Sequence, residues 1–216
     1  MQPYKQTDRA IKVLNKQYIR LFEQLRGMMA FDELNVISKT KDVYVELEQV
    51  TVRVFAQMAQ LAYEAIWVWL VANGWAEEGE KPSRNPVSEA KVRKMLTRYD
   101  PVTKYVYEHE IDRKQARTAE AIIASTTAAD RAKEINRALR LASGMMAQAA
   151  ISATDATMLD TYREVGVEQV QWVTVDDERR CEVCRKRHGM VFDIDKVPPK
   201  PHPNCRCYLI PYRKRS

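Results

Sequence analysis

All four cysteines of this 216-residue chain fall between Cys181 and Cys207, and two of its three histidines, His188 and His202, fall there with them. They stand as Cys181-Glu182-Val183-Cys184 and as His202-Pro203-Asn204-Cys205-Arg206-Cys207. Two thiols two residues apart can face one tetrahedral ion, because the turn between them brings both sulfurs to one side. The rest of the set would come from the second cluster. That gives Cys181, Cys184, His202, Cys205 and Cys207 as candidate metal ligands for four positions, and spacing alone leaves open which four bind. So short a segment buries little apolar surface, and a structural zinc would staple it.

Other uses of the cysteines stay open. A reduced, metal-free knot or a disulfide-stapled one fits the same spacing. The polar start Met1-Gln2-Pro3-Tyr4-Lys5 does not read as a secretory leader, which weakens the disulfide reading. A thioredoxin-type pair would open a helix within an α/β pattern, and that pattern is missing. A catalytic zinc would keep one position open to water, and nothing in the spacing asks for it.

Around the cysteines the pattern is that of strands. Gln169 to Val175 alternates polar and apolar residues before Asp176-Asp177-Glu178 breaks it. Gly189 to Phe192 and Cys207 to Ile210 read as two more short strands, with the stiff connector Pro198-Pro199-Lys200-Pro201 between them.

Upstream the chain is helical. Ile11, Leu14, Tyr18, Leu21, Phe22 and Leu25 form one stripe over residues 8–29. A second helix carries Val43, Leu47, Val50, Val54, Met58 and Leu61, then the all-apolar run Ile66 to Val71, and stops at Asn73-Gly74. That run is too short for a membrane span between Glu64 and Asn73, so no span is expected; a buried helix end or a subunit contact through Trp67 and Trp69 is. Residues 77–86 read as a loop or hinge. A short helix follows over 88–98, and Asp100-Pro101 signals a new helix start. From there to Glu164 the pattern is one long or twice-broken helix, with Gly144 and Ser152-Ala153-Thr154 as the expected kinks. The expected fold class is mainly α with a small C-terminal α+β zinc-knot module, long helices followed by short antiparallel strands. The expected division is 1–165, a helical docking region, and 166–216, the β-rich metal module with a basic tail.

Charge is uneven. The chain carries a net +6, yet from Arg179 onward eleven cations face only Glu182, Asp193 and Asp195. Such a surface favours a polyanion by counterion release, with Arg213, Lys214 and Arg215 as the expected contacts to double-stranded DNA, and a merely solvated face with a disordered basic tail fits the same residues equally well. Catalytic patterns are sparse. His109 lacks an HExxH partner, Asp176 and Asp177 fit a strand-ending turn, and no Walker, GxGxxG or GxSxG run occurs.

The run Trp172-Val173-Thr174, Asp177, Arg180-Cys181 with Cys184, Gly189 with Phe192, Pro199, and His202 through Cys207 resembles the C-terminal signature of phage minor head (head morphogenesis) proteins. Protein F of phage Mu and its phage SPP1 counterpart typify that family. Upstream the likeness is general, an Ala/Thr-rich helix and the step Arg163-Glu164-Val165-Gly166-Val167, and Arg180 stands where a small or apolar residue is more usual. The resemblance implies a non-enzymatic minor capsid protein that associates with the portal protein and/or the major capsid protein, homo-oligomerises on the portal and meets packaged DNA. Its expected place is the phage head, and the host cytoplasm during assembly. The alternative is a small zinc-supported, treble-clef or HNH-like nuclease using His188 or His202.

Overall fold

The computed structural model describes residues 4–29, 31–77, 79, 87–97, 99–100, 105–175 and 181–213. Asp176, Asp177, Arg179, Arg180, Lys214 and Arg215 lie outside the described residues, as does most of the 77–86 loop.

Helix α1, Lys5–Arg26, buries Leu14, Tyr18, Leu21, Phe22 and Leu25 on one side. Helix α2, Glu33–Ala72, starts ten residues earlier than its apolar stripe suggests, because the Asp32 carboxylate caps it by accepting from Asn35 N at 3.0 Å. It is long and apolar enough to cross a membrane by length and composition. Its buried stripe nevertheless packs against α1 and the later helices, as the central helix of a bundle does.

Helix α3, Glu89–Leu96, is capped by Ser88. The expected helix start at Asp100 is replaced by a strand pair, β1 (Tyr99–Asp100) and β2 (Tyr105–Val106), with Asp100 opposite Tyr105. Pairing commits the Asp100 backbone to a ladder, so it cannot cap. Helix α4 begins only at Tyr107 and runs to Ile123. Helix α5, Ala128–Glu164, then runs unbroken through both expected kinks. The break lies instead at residues 124–127, where Thr127 Oγ1 accepts from Asp130 N and opens the new helix. Thr154 stays helical because its hydroxyl donates to the Ala150 carbonyl at 2.9 Å rather than competing with the ladder.

The same back-bonding lets hydroxyls sit in the bundle core. Thr51 donates to Leu47 O and Thr118 to Lys114 O, so Tyr18 and Tyr44 donate to those threonines across the helix interfaces, at 2.6 and 2.9 Å. One apolar cluster fills the space among α1 to α5.

A second cluster gathers under the C-terminal sheet. Its floor is Ile66 and Leu70 of α2 with Met158 and Tyr162 of α5. Its roof is an antiparallel sheet ordered β4-β3-β5, formed by β3 (Gln169–Val173), β4 (Val191–Asp193) and β5 (Tyr208–Pro211). In β3 the alternation read from the sequence holds, with Val170 and Trp172 inward and Gln169 and Gln171 half-exposed. Tyr162 OH donates to Leu209 O at 2.9 Å, tying α5 to β5. The Trp67-Val68-Trp69 run divides by helical period. Trp69 leans on this second cluster, whereas Trp67 stacks at 6.4 Å on Tyr63 and Val68 is 68% exposed.

Candidate metal centre

The Cys181–Cys184 pair sits on a helical turn that the sequence reading missed. Helix α6, Glu182–Arg187, begins with Cys181 as its cap, whose sulfur accepts from Cys184 N at 3.3 Å. A cysteine cap is an unusual use of the side chain, and it aims Cys181 and Cys184 the same way. Gly189, at φ 80°, then turns the chain into β4. The second cluster is set by another left-handed residue, Asn204 at φ 57°, whose backbone N–H donates to Gln148 Oε1 at 2.8 Å. Asn tolerates this conformation better than other side-chain-bearing residues, which explains its place between Pro203 and Cys205.

These two turns bring all five sequence-predicted donors together. Cys181, Cys184 and His202 form one group, and Cys184, Cys205 and Cys207 another, with donor atoms within 4.8 Å of one another in each. Cys184 belongs to both and is 2% exposed. Its sulfur lies 3.6 Å from Cys205 Sγ and 3.5 Å from His202 Nε2. Bonds of about 2.3 Å to sulfur and about 2.0–2.1 Å to nitrogen make the edges of a zinc tetrahedron roughly 3.6–3.8 Å long. Those two separations are close to such an edge. All four cysteines are free thiols, and the cluster can hold a metal ion.

The electrostatics point the same way. Burial pushes the Cys184 thiol up to about 12. Cys205 is raised too, first by its hydrogen bond with Cys207 and then by burial. That same bond, donated to Cys207, is the main cause holding Cys207 down to about 5, and Thr174 Oγ1 lies 3.7 Å from its sulfur. Cys181 is lowered, chiefly by the Cys184 N–H. Without a cation the sulfurs share protons unequally, because several thiolates at this spacing repel one another. A divalent ion removes that conflict.

Of the other two histidines, His188 is spent on structure: its Nδ1 accepts from Thr174 N at 3.1 Å. His109, near the start of α4, lies apart from the donor groups. Arg213, an expected DNA contact, stacks at 4.0 Å over Trp75.

Sequence reasoning missed what holds the Cys205–Cys207 loop from behind. Lys200 Nζ donates to Asp155 Oδ2 at 2.9 Å, to Cys205 O at 3.0 Å and to the Tyr4 hydroxyl, which uses all three of its hydrogens. The Tyr4 hydroxyl has one proton for two acceptors, Asp155 Oδ1 at 2.6 Å and Cys207 O at 2.8 Å. Thr174 Oγ1 donates to Cys184 O at 2.8 Å from the other side. Residue 4 thus closes onto the last cysteine, a contact with no local sequence signal.

Residues 100–210, from β1 to β5, match the family described as phage Mu protein F like protein. The chain belongs to that family. The match covers slightly more than half of the 216 residues and includes every candidate donor, whereas α1 to α3 lie outside it. No curated protein and no solved structure matches the chain. As a phage Mu F-like protein it is a phage head-related protein.

Proposed function

We propose that this phage Mu F-like protein is a non-enzymatic minor capsid protein whose helices dock on the portal or inner capsid during head assembly. The family match carries the reading. In it, the C-terminal module is a structural zinc knot with ligands drawn from Cys181, Cys184, His202, Cys205 and Cys207. The donor chemistry supports zinc: soft thiolates with an imidazole at tetrahedral spacing. The nuclease alternative loses appeal because His188 accepts a backbone hydrogen bond and His202 faces Cys184, so each imidazole already has a structural task.

Zinc binding should be measurable as proton release. Burial holds the Cys184 proton at neutral pH and the Cys205 thiol is raised as well, and ligands bind as thiolates, so titrating zinc into apo-protein at pH 7 should release protons from both. Affinity should therefore rise with pH. Calorimetry in buffers of different ionisation enthalpy measures the number, and zero proton release would remove these two thiols from the ligand set.

Docking is assigned to the edge of α2 where Val68 is exposed beside the half-buried Trp67, since aromatic side chains dominate interface energetics. Trp67→Ala should be incorporated into assembled heads at a small fraction of the wild-type level while keeping its helical circular dichroism. Trp69→Ala should instead lower stability, because Trp69 covers the second cluster. Wild-type incorporation of folded Trp67→Ala would move the docking surface elsewhere.

A further inference from the structure

We propose that the solvent face of α1 is a ridge that binds the phosphate backbone of duplex DNA. This deepens the reading of a head protein close to the packaged genome and rests on it, but it names a surface that lies outside the family match.

Lys5, Arg9, Lys12, Lys16 and Arg20 follow one another at steps of four, three, four and four residues. Those steps keep all five on one face of a 3.6-residue helix, over a rise of about 22 Å. All five are exposed, and the opposite face is the buried stripe of Leu14, Tyr18, Leu21 and Leu25. The bordering acids are already taken: Asp8 pairs with Arg206 at 3.5 Å, and Glu23 pairs with Arg26. Among the described residues no ion pair joins any of the five cations to an acid, and Arg9 makes only a 3.4 Å contact with Gln6.

The described cations of the C-terminal segment stand in contrast. There Lys186, Lys196, Lys200 and Arg206 each have a carboxylate partner, while Arg187 and Arg213 lie over Trp172 and Trp75. Among the described residues, the cations of that segment other than Arg185 have a carboxylate or ring partner, whereas the five of α1 have no ion pair. The Asp8–Arg206 pair also places the ridge beside the module, so the two basic surfaces adjoin.

DNA fits this face better than an acidic protein does. Protein interfaces are organised around buried aromatic and apolar anchors. This face has no aromatic side chain, and only Val13 and Ile19, each 48% exposed, flank the cations. A row of long, unpaired cations has no means of reading bases but suits positioning along phosphates.

The test measures anisotropy of a random-sequence labelled duplex against the full chain over a salt series. Each neutralised phosphate contributes about −0.9 to the slope of log K against log salt, so five give about −4.5, a roughly 500-fold loss from 50 to 200 mM. The variant Lys5→Gln/Arg9→Gln/Lys12→Gln/Lys16→Gln should flatten the slope by about 3.6 with unchanged circular dichroism. Lys5→Arg/Lys12→Arg/Lys16→Arg should keep it, and Arg213→Gln should change it by no more than one contact. If the wild type binds no duplex at low salt, the genome-partner reading itself fails. If it binds but the four-fold glutamine variant binds equally well, the ridge is overturned and that reading stands. Equal affinity for polyglutamate would overturn DNA as the occupant in favour of an acidic protein.

Discussion

Cys184→Ser is expected to strip the protein of metal and unfold its C-terminal module while α1 to α5 stay helical. The reason is position. Cys184 is the one donor shared by both groups, it is almost fully buried, and its sulfur lies one tetrahedral edge from both Cys205 and His202. No other single donor reaches both halves of the cluster in this way. Structural zinc binding in small modules supplies on the order of 10 kcal/mol. The floor of Met158, Tyr162, Ile66 and Leu70 would offset part of the loss, so about 5 kcal/mol is the expected penalty for the module. Elemental analysis should fall from about one zinc per chain to none. Near-ultraviolet circular dichroism of Trp172 should collapse while the far-ultraviolet helical signal largely persists. A wild-type protein with no zinc and a mapped Cys181–Cys184 disulfide would sink the metal reading. Chelation of the wild type at neutral pH should reproduce the variant.

The second large effect is expected at a side chain that is not itself a candidate donor but holds the Cys205 loop from behind. Lys200→Met removes the cation behind the loop, leaving the Asp155 carboxylate, the Cys205 carbonyl and the Tyr4 hydroxyl without their shared donor. Breaking a fully buried pair costs 3–5 kcal/mol; with side-chain exposures of 12% and 24% here, about 2 kcal/mol is expected. Burial already raises the Asp155 carboxyl above its usual range despite Lys200, so the variant should push it further up. The double variant Lys200→Met/Asp155→Leu should recover part of the loss, since both partners then become apolar. Denaturant melts of the four proteins make a double-mutant cycle, and strict additivity would show that the two side chains do not interact.

Much of this architecture was legible because it is written locally. The apolar stripe of α1, the alternation of β3 and the clustering of the cysteines each follow from spacing over a few residues. Where reading failed, a bond that spacing does not reveal decided. Asp100 has the look of a helix cap, but its backbone pairs with Tyr105. Gly144 and Thr154 look like kinks, but the burial of Ala142 and Met146 around the exposed Gly144 and the Thr154 back-bond accompany a continuous α5. The basic C-terminal segment looks like a free cationic surface, yet most of its described charges find partners from α1, α5 or the sheet. Tyr4 carried no signal at all, because its meaning depends on Asp155 and Cys207.

Tyr4 and Cys207 stand 203 positions apart, so the bond between them draws almost the whole chain into a single closed circuit. Closing a loop of that size has an entropic cost that grows with the logarithm of its length, and a lone hydrogen bond cannot offset it early. The bond is therefore made late, after α1 has settled on α5 and β5 has joined β3. Interactions absent from the folding transition state act on the rate of escape, not on the rate of arrival. The fastener at residue 4 accordingly bears on the rate at which the loop of Cys205 and Cys207 opens.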